Sequence, residues 1–137
     1  EGEGGVVEEP PAIPGAAPEA ERQVTIPIAR EAAHVYSECA SIWNPIHSER
    51  AVAKAQGLPD VILHGTATWA IAGREIVARC ADGDVSRLRR LRARFKAPVF
   101  PGHPITLRFA TGSRGAVPFR VLNHKGEVAV ETGFAQL

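Results

Sequence analysis

The residues from Gly65 to Cys80 carry no charged side chain before Arg74, and their apolar positions fall on most sides of a helix. Trp69, Ile76 and Cys80 share one face, while the polar residues Arg74, Glu75 and Arg79 come late. A helix apolar on most sides has to be covered, and a curved sheet is the simplest cover. The rest of the chain supplies one. Leu91, Ala93 and Phe95 alternate with Arg90, Arg92, Arg94 and Lys96, the period of a strand with one basic face. Pro101-Gly102 turns the chain, Ile105, Leu107 and Phe109 alternate again, and residues 112–115 mark another turn. Residues 119–122 and 128–134 pair across Asn123-His124-Lys125-Gly126, a hairpin loop.

Upstream of the helix the signals are shorter. Val24, Ile26 and Ile28 alternate with Thr25 and Pro27, which predicts an edge strand, because proline cannot donate to a ladder. Residues 29–40 read as a helix whose Ala32, Val35, Tyr36 and Cys39 recur at three- and four-residue spacing. Asn44-Pro45 is expected to end it, since the residue before proline avoids helical geometry. Ser48 is placed as the N-cap of a short helix through Ala55, closed by Gly57 and Pro59. One strand, helices and then four strands make an α+β domain with an antiparallel sheet around a helix.

At 137 residues the chain has room for one domain. Residues 1–21 are rich in Glu, Gly, Pro and Ala, too poor in large apolar side chains to offset the entropy of ordering, and are expected to be disordered or a linker. Residues 22–137 remain as the folded unit. The chain starts at Glu1 rather than methionine, which suggests a processed piece of something longer. A net charge of +1 gives no global argument for nucleic acid or a membrane. No stretch is long enough to span a bilayer and the acidic N-terminal residues lack the basic and apolar regions of a signal peptide, so a cytoplasmic setting is expected. Cys39 and Cys80 have neither metal spacing nor a disulfide framework and read as two buried thiols; no metal site is expected.

The chemistry gathers between Ala40 and Trp69. A polar loop carries Asn44 and His47, and the long helix opens at His64-Gly65. An imidazole moves protons near neutral pH, and the first N–H groups of a helix have no partner inside it. Those donors, with the positive end of the helix dipole, favour a developing oxyanion. By residue type alone His47 would more often be a surface or capping residue.

The motif around it resembles that of the MaoC-like acyl dehydratases, the (R)-specific enoyl-CoA hydratases of the hotdog fold. Their signature, Ser-Gly-Asp-x-Asn-Pro-x-His, is matched here by Asn44, Pro45 and His47, and Gly65 follows His47 at the family's spacing of about eighteen residues. Residues 94–102, Arg-Phe-Lys-Ala-Pro-Val-Phe-Pro-Gly, look like the family's Phe-Lys-x-Pro-Val-x-x-Gly strand and turn. The resemblance implies a hotdog fold and reversible hydration of a 2-enoyl-CoA thioester. It further implies His47 as the acid/base, Asn44 as a polar positioner and the Gly65 N–H as oxyanion donor. It implies no cofactor beyond the coenzyme A of the substrate, and a homodimer or heteromer with a second hotdog unit, with no nucleic acid and no membrane.

One position departs from the family. Ile42 occupies the place of the catalytic aspartate, and an isoleucine can neither take up a proton nor orient water. Glu38 or Ser41 could stand in, His47 could act alone, or the chain could be a non-catalytic partner that completes the acyl-CoA pocket of an active unit. A hotdog thioesterase fits less well, because Glu75 lies too far along the helix. His64 reads as structural, capping the helix or bonding backbone. Trp43 and Tyr36 could border an acyl pocket or simply pack. The six cationic side chains within residues 87–96, Arg94 and Lys96 among them, suit coenzyme A phosphates, a solvated strand face or a subunit contact.

Overall fold

The computed structural model describes residues 21–137, so the linker expected over residues 1–21 lies outside the described residues, Glu21 excepted. All five expected strands form: β1 (Arg22–Ile26), β2 (Arg90–Phe95), β3 (Ile105–Phe109), β4 (Ala116–Leu122) and β5 (Val128–Gln136). They make one sheet in the order β1-β3-β4-β5-β2, and each neighbouring pair is antiparallel. β1 lies at one edge, and Pro27 follows its last residue, where no ladder donor is lost. β2 lies at the other edge.

β4 begins three residues earlier than the alternation predicts and takes in Pro118. The ladder with β3 ends at the Phe109–Phe119 pair, so the missing N–H of Pro118 falls beyond it. Its carbonyl still accepts the Ala110 N–H at 3.2 Å. The hairpin between β4 and β5 closes as expected. Asn123 N–H donates to the Glu127 carbonyl at 2.9 Å, and Gly126 takes the left-handed conformation that its turn requires.

Three helices precede β2: α1 (Ala32–Ala40), α2 (Arg50–Ala55) and α3 (Gly65–Cys80). α3 runs over the residues expected and buries Ala67, Thr68, Ala72, Gly73, Ile76 and Val77. Ile76 meets a core formed by the inward residues of the sheet, among them Ile105, Leu107, Val117, Val121 and Val130, all essentially inaccessible to solvent. The small residues let the helix lie close. A side chain at Gly73 would meet Leu91 of β2 at 2.7 Å. This is the hotdog arrangement that the sequence implies, with one correction. Ala70, Arg74 and Ala78 of α3 are exposed, so the sheet covers one side of the helix rather than enclosing it. On the open side an apolar groove of about 370 Å³ runs between α3 and the β2 edge, lined by Trp69, Val77, Leu88 and Leu91.

α1 departs from expectation in phase and length. Ala33 and Ser37 are its buried residues, Tyr36 is half-buried, and Val35 and Cys39 are exposed. The buried stripe is therefore displaced by one residue from the apolar one. Ser37 tolerates this burial because its hydroxyl has a buried partner, described below. The two cysteines are accordingly not buried thiols: Cys39 is exposed and Cys80 half-buried. α1 ends at Ala40, before Asn44-Pro45, with Ser41 in the left-handed conformation and its N–H on the Ser37 carbonyl. α2 is preceded by Glu49 rather than Ser48, and Gly57, at φ +83°, closes it. No helix among the described residues is long and apolar enough to cross a membrane.

Candidate active site at the start of the long helix

The early end of α1 leaves residues 41–44 as a loop that delivers His47. Asn44 shapes this loop: its Oδ1 accepts the Ile46 N–H at 3.2 Å and its carbonyl the His47 N–H at 3.1 Å, which builds a 3-10 turn over Pro45–His47. Asn44 thus acts on His47 through the backbone. The loop is pinned to the segment before α3 where Ile62 N–H reaches the Ile46 carbonyl at 3.3 Å.

His47 Nδ1 lies 2.7 Å from the Ile62 carbonyl oxygen. A carbonyl can only accept, so Nδ1 carries a proton, and in the neutral ring Nε2 then keeps its lone pair. The neutral ring is thereby held in the tautomer of a general base. Its other neighbour is His64. The two imidazoles stack with centroids 3.6 Å apart and planes at 21°. His64 is 3% exposed; its Nε2 lies 3.3 Å from Ser37 Oγ, and the Ile42 backbone is a further hydrogen-bond neighbour of its ring. Tyr36 flanks the pair, its ring 4.8 Å from that of His64, and its hydroxyl donates to Thr66 Oγ1 at 3.1 Å.

The first hydrogen bond inside α3 runs from Thr68 N–H to the His64 carbonyl at 3.1 Å. The N–H groups of Gly65, Thr66 and Ala67 therefore precede the helical ladder and carry the positive end of its dipole. Gly65 makes room for a close approach: the Phe95 ring lies 3.0 Å from where a side-chain carbon at 65 would sit. Phe95, half exposed, thus roofs the helix start.

Sequence reasoning placed His64 as a structural residue that caps the helix or bonds backbone, and its ring does have the Ile42 backbone as a hydrogen-bond neighbour. His64 stands at the N-cap position of α3 yet makes no side-chain cap bond, and its ring is spent on the stack and on Ser37 instead. The sole signal was a histidine placed directly before the helix glycine. Ser37, its hydrogen-bond partner, carried no signal. The remaining expected residues lie around the histidine pair rather than in it. Trp43 is exposed and, with His34, Ser37, Glu38 and Glu49, lines a polar cavity of about 360 Å³ between α1 and the loop. Arg94 and Lys96 both reach Glu131 of β5, at 3.9 and 3.3 Å. Ile42 is 39% exposed and its N–H donates to the Ser37 carbonyl at 3.1 Å. Among the described residues no group of three or more His, Cys, Asp or Glu could hold a metal ion.

Burial first, and the neighbouring His47 second, hold His64 below the ordinary imidazole value, with the Ile42 backbone pulling the other way. Between the folded and unfolded values the unfolded chain binds more protons, so stability falls as pH drops through that window. Unfolding by urea should therefore show a loss of stability below about pH 6.5 that is smaller in His64→Phe. His124, stacked on His103 at 4.1 Å, is shifted the same way, first by desolvation, so part of the slope stays in the variant. Equal slopes in the two proteins would show that His64 is not held neutral by the fold.

The arrangement brings together a tautomer-locked base, a second buried imidazole and a row of helix N–H donors, the set needed to move a proton beside a carbonyl whose oxygen gains charge. Comparison with known proteins points the same way. The family model described as "MaoC like domain" matches residues 11–132. The chain is 33% identical over 97 residues to peroxisomal multifunctional enzyme type 2 of Mus musculus, covering 69% of this chain and 13% of that protein. It is 33% identical over 111 residues to 3-hydroxyacyl-thioester dehydratase Y of Mycobacterium tuberculosis, covering 80% of this chain and 37% of that protein. Among solved structures, a MaoC-like dehydratase from Phytophthora capsici superposes with a TM-score of 0.79 at 29% identity, over 91% of this chain and 42% of that one. The chain thus spans well under half the length of these relatives. Over that span, in sequence and in fold, it belongs to the MaoC-like dehydratase family.

Proposed function

We propose that the chain is a hydratase unit that reversibly adds water across a 2-enoyl-CoA thioester. The observation that carries this reading is His47, locked by the Ile62 carbonyl with Nε2 free, beside the unladdered N–H groups that open α3. The thioester oxygen would sit against the Gly65 N–H, which favours the enolate-like charge that develops there. The Nε2 lone pair of His47 would take the proton from water as its oxygen bonds C3, and return it to C2. Atoms balance with one base, and no cofactor is drawn on beyond the coenzyme A that the substrate brings. Arg90 and Arg92 precede Arg94 and Lys96 along the β2 edge, and this basic stripe is suited to the phosphates of that carrier.

A second reading has its own support. Ile42 removes the carboxylate expected in the site, while the apolar groove beside the β2 edge is the kind of surface that a second hotdog unit would cover. In that reading the chain is a non-catalytic partner that completes the pocket of an active unit. Both readings include pairing with a second unit, identical or different.

The deciding experiment is hydration of crotonyl-CoA by the purified chain, followed through loss of the enoyl-thioester absorbance. Turnover is the expected result. A folded chain that is silent at all enzyme concentrations would leave the partner reading in its place.

A further inference from the structure

Two threonines stand in the first turn of α3 and use their hydroxyls differently. Thr68 is 2% exposed and turns its hydroxyl back onto the His64 carbonyl at 3.4 Å, the usual resort of a threonine inside a helix. Thr66 is exposed, and its Oγ1 instead accepts the Tyr36 hydroxyl at 3.1 Å. A hydroxyl has one proton to give and lone pairs to receive with, so accepting from Tyr36 leaves the Thr66 proton unspent. Among the described residues that proton has no acceptor. The carbonyl it would otherwise seek, four residues back, is that of Ile62, already engaged by His47 Nδ1 at 2.7 Å.

Its position gives the proton a use. Thr66 follows Gly65 directly, and its own N–H belongs to the set that precedes the first helical bond, from Thr68 N–H to the His64 carbonyl. In a helix the Cα–Cβ bond leans toward the N-terminus, so the hydroxyl stands back toward the Gly65 turn rather than further along the helix. There it is open to solvent, on the side of the helix start that Tyr36 reaches from α1. The Tyr36 ring lies 4.8 Å from that of His64, whose other ring neighbour is His47 at 3.6 Å. The hydroxyl pair and the base thus flank the same helix start.

We propose that the Thr66 hydroxyl is a second donor to the thioester oxygen, beside the Gly65 N–H, and that Tyr36 is the positioning residue that aims it. The inference rests on the hydratase reading above and adds a group to its oxyanion site. No proton leaves Thr66. Its O–H···O bond tightens as charge builds on the thioester oxygen and relaxes as that charge returns to the carbon skeleton. The proton of the attacking water still passes to His47 Nε2 and on to C2, so the balance of the step is unchanged. Tyr36 occupies a lone pair of Thr66, which turns the threonine proton away from α1 and strengthens the bond that it donates.

The test uses the full chain and crotonyl-CoA, with four variants. Thr66→Val keeps the shape without the hydroxyl and should lose about 10- to 100-fold in kcat with KM nearly unchanged, since the donor acts on charge that appears only in the transition state. Thr66→Ser keeps the hydroxyl and should stay within about threefold of the parent. Tyr36→Phe should cost about 3- to 10-fold, and nothing further when combined with Thr66→Val, because Tyr36 acts through the threonine. Thermal unfolding checks the fold of each. If the bond only fastens α1 to α3, Thr66→Val and Tyr36→Phe lower the melting temperature alike and leave kcat at the parent's value, which overturns the proposal. A Thr66→Ser as impaired as Thr66→Val, or losses that multiply in the double variant, overturns it too. Tyr36→Phe with the parent's kcat does so independently of how the position 66 variants fold. An inactive parent overturns the hydratase reading and this inference together; an active parent indifferent to position 66 overturns this inference alone.

Discussion

Replacing His47 with asparagine will lower turnover of a 2-enoyl-CoA by about 10²–10⁴-fold while leaving the fold in place. The two ring nitrogens have separate tasks, which is what makes this substitution informative. Nδ1 anchors the loop on the Ile62 carbonyl at 2.7 Å, and Nε2 is left for chemistry. An asparagine amide can reproduce the first bond and cannot reproduce the second function. Stability should therefore change by no more than the cost of the lost stack, about 1 kcal/mol. His47→Ala removes both and should add the cost of an unpaired Ile62 carbonyl, about 1 kcal/mol or more, to the same loss of rate. Steady-state kinetics with crotonyl-CoA and urea unfolding of the two variants separate the effects. If His47→Asn keeps more than about a tenth of the parent's kcat, the loss is smaller than a general base supplies and His47 is not the base.

How far the sequence carries this molecule depends on how local each determinant is. α3 was legible to the residue because a glycine opens it and a turn closes it, both chain-local signals. The strands after it were legible because period-two alternation survives in five-residue windows, as Ile105, Leu107 and Phe109 illustrate. The face of α1 was not legible. Hydrophobicity alone selects Val35 and Cys39, whereas the fold buries Ser37 because a hydroxyl bonded to His64 is satisfied in the interior. Asn44, His47 and Gly65 could be picked out from motif and spacing. The stack of His47 on His64 could not, since it depends on a loop and a helix start being pinned together by the Ile62–Ile46 bond. The basic run was similarly ambiguous, because Glu131, which draws off Arg94 and Lys96, belongs to a different strand. In each case the missed feature is a contact between segments distant in sequence.

Ile42→Asp should raise kcat for crotonyl-CoA about 10²-fold. The site is built to accept the change. Ile42 is 39% exposed, so little apolar burial is given up, roughly 1 kcal/mol or less, and its N–H stays on the Ser37 carbonyl whatever the side chain. The new carboxylate would stand on the residue whose backbone meets the His64 ring and would act on the His47–His64 pair as a nearby opposite charge. A carboxylate there favours protonated imidazole, so the acid limb of the kcat profile should move to higher pH as the rate rises. The two effects belong together. A gain in rate without a shift in the profile would mean that the introduced carboxylate orients water without touching the histidines. A shift without a gain would mean that the water is already held as well as a carboxylate could hold it. No change in either would show that position 42 does not face the reacting atoms, and the departure from the family's motif would then carry no information about catalysis.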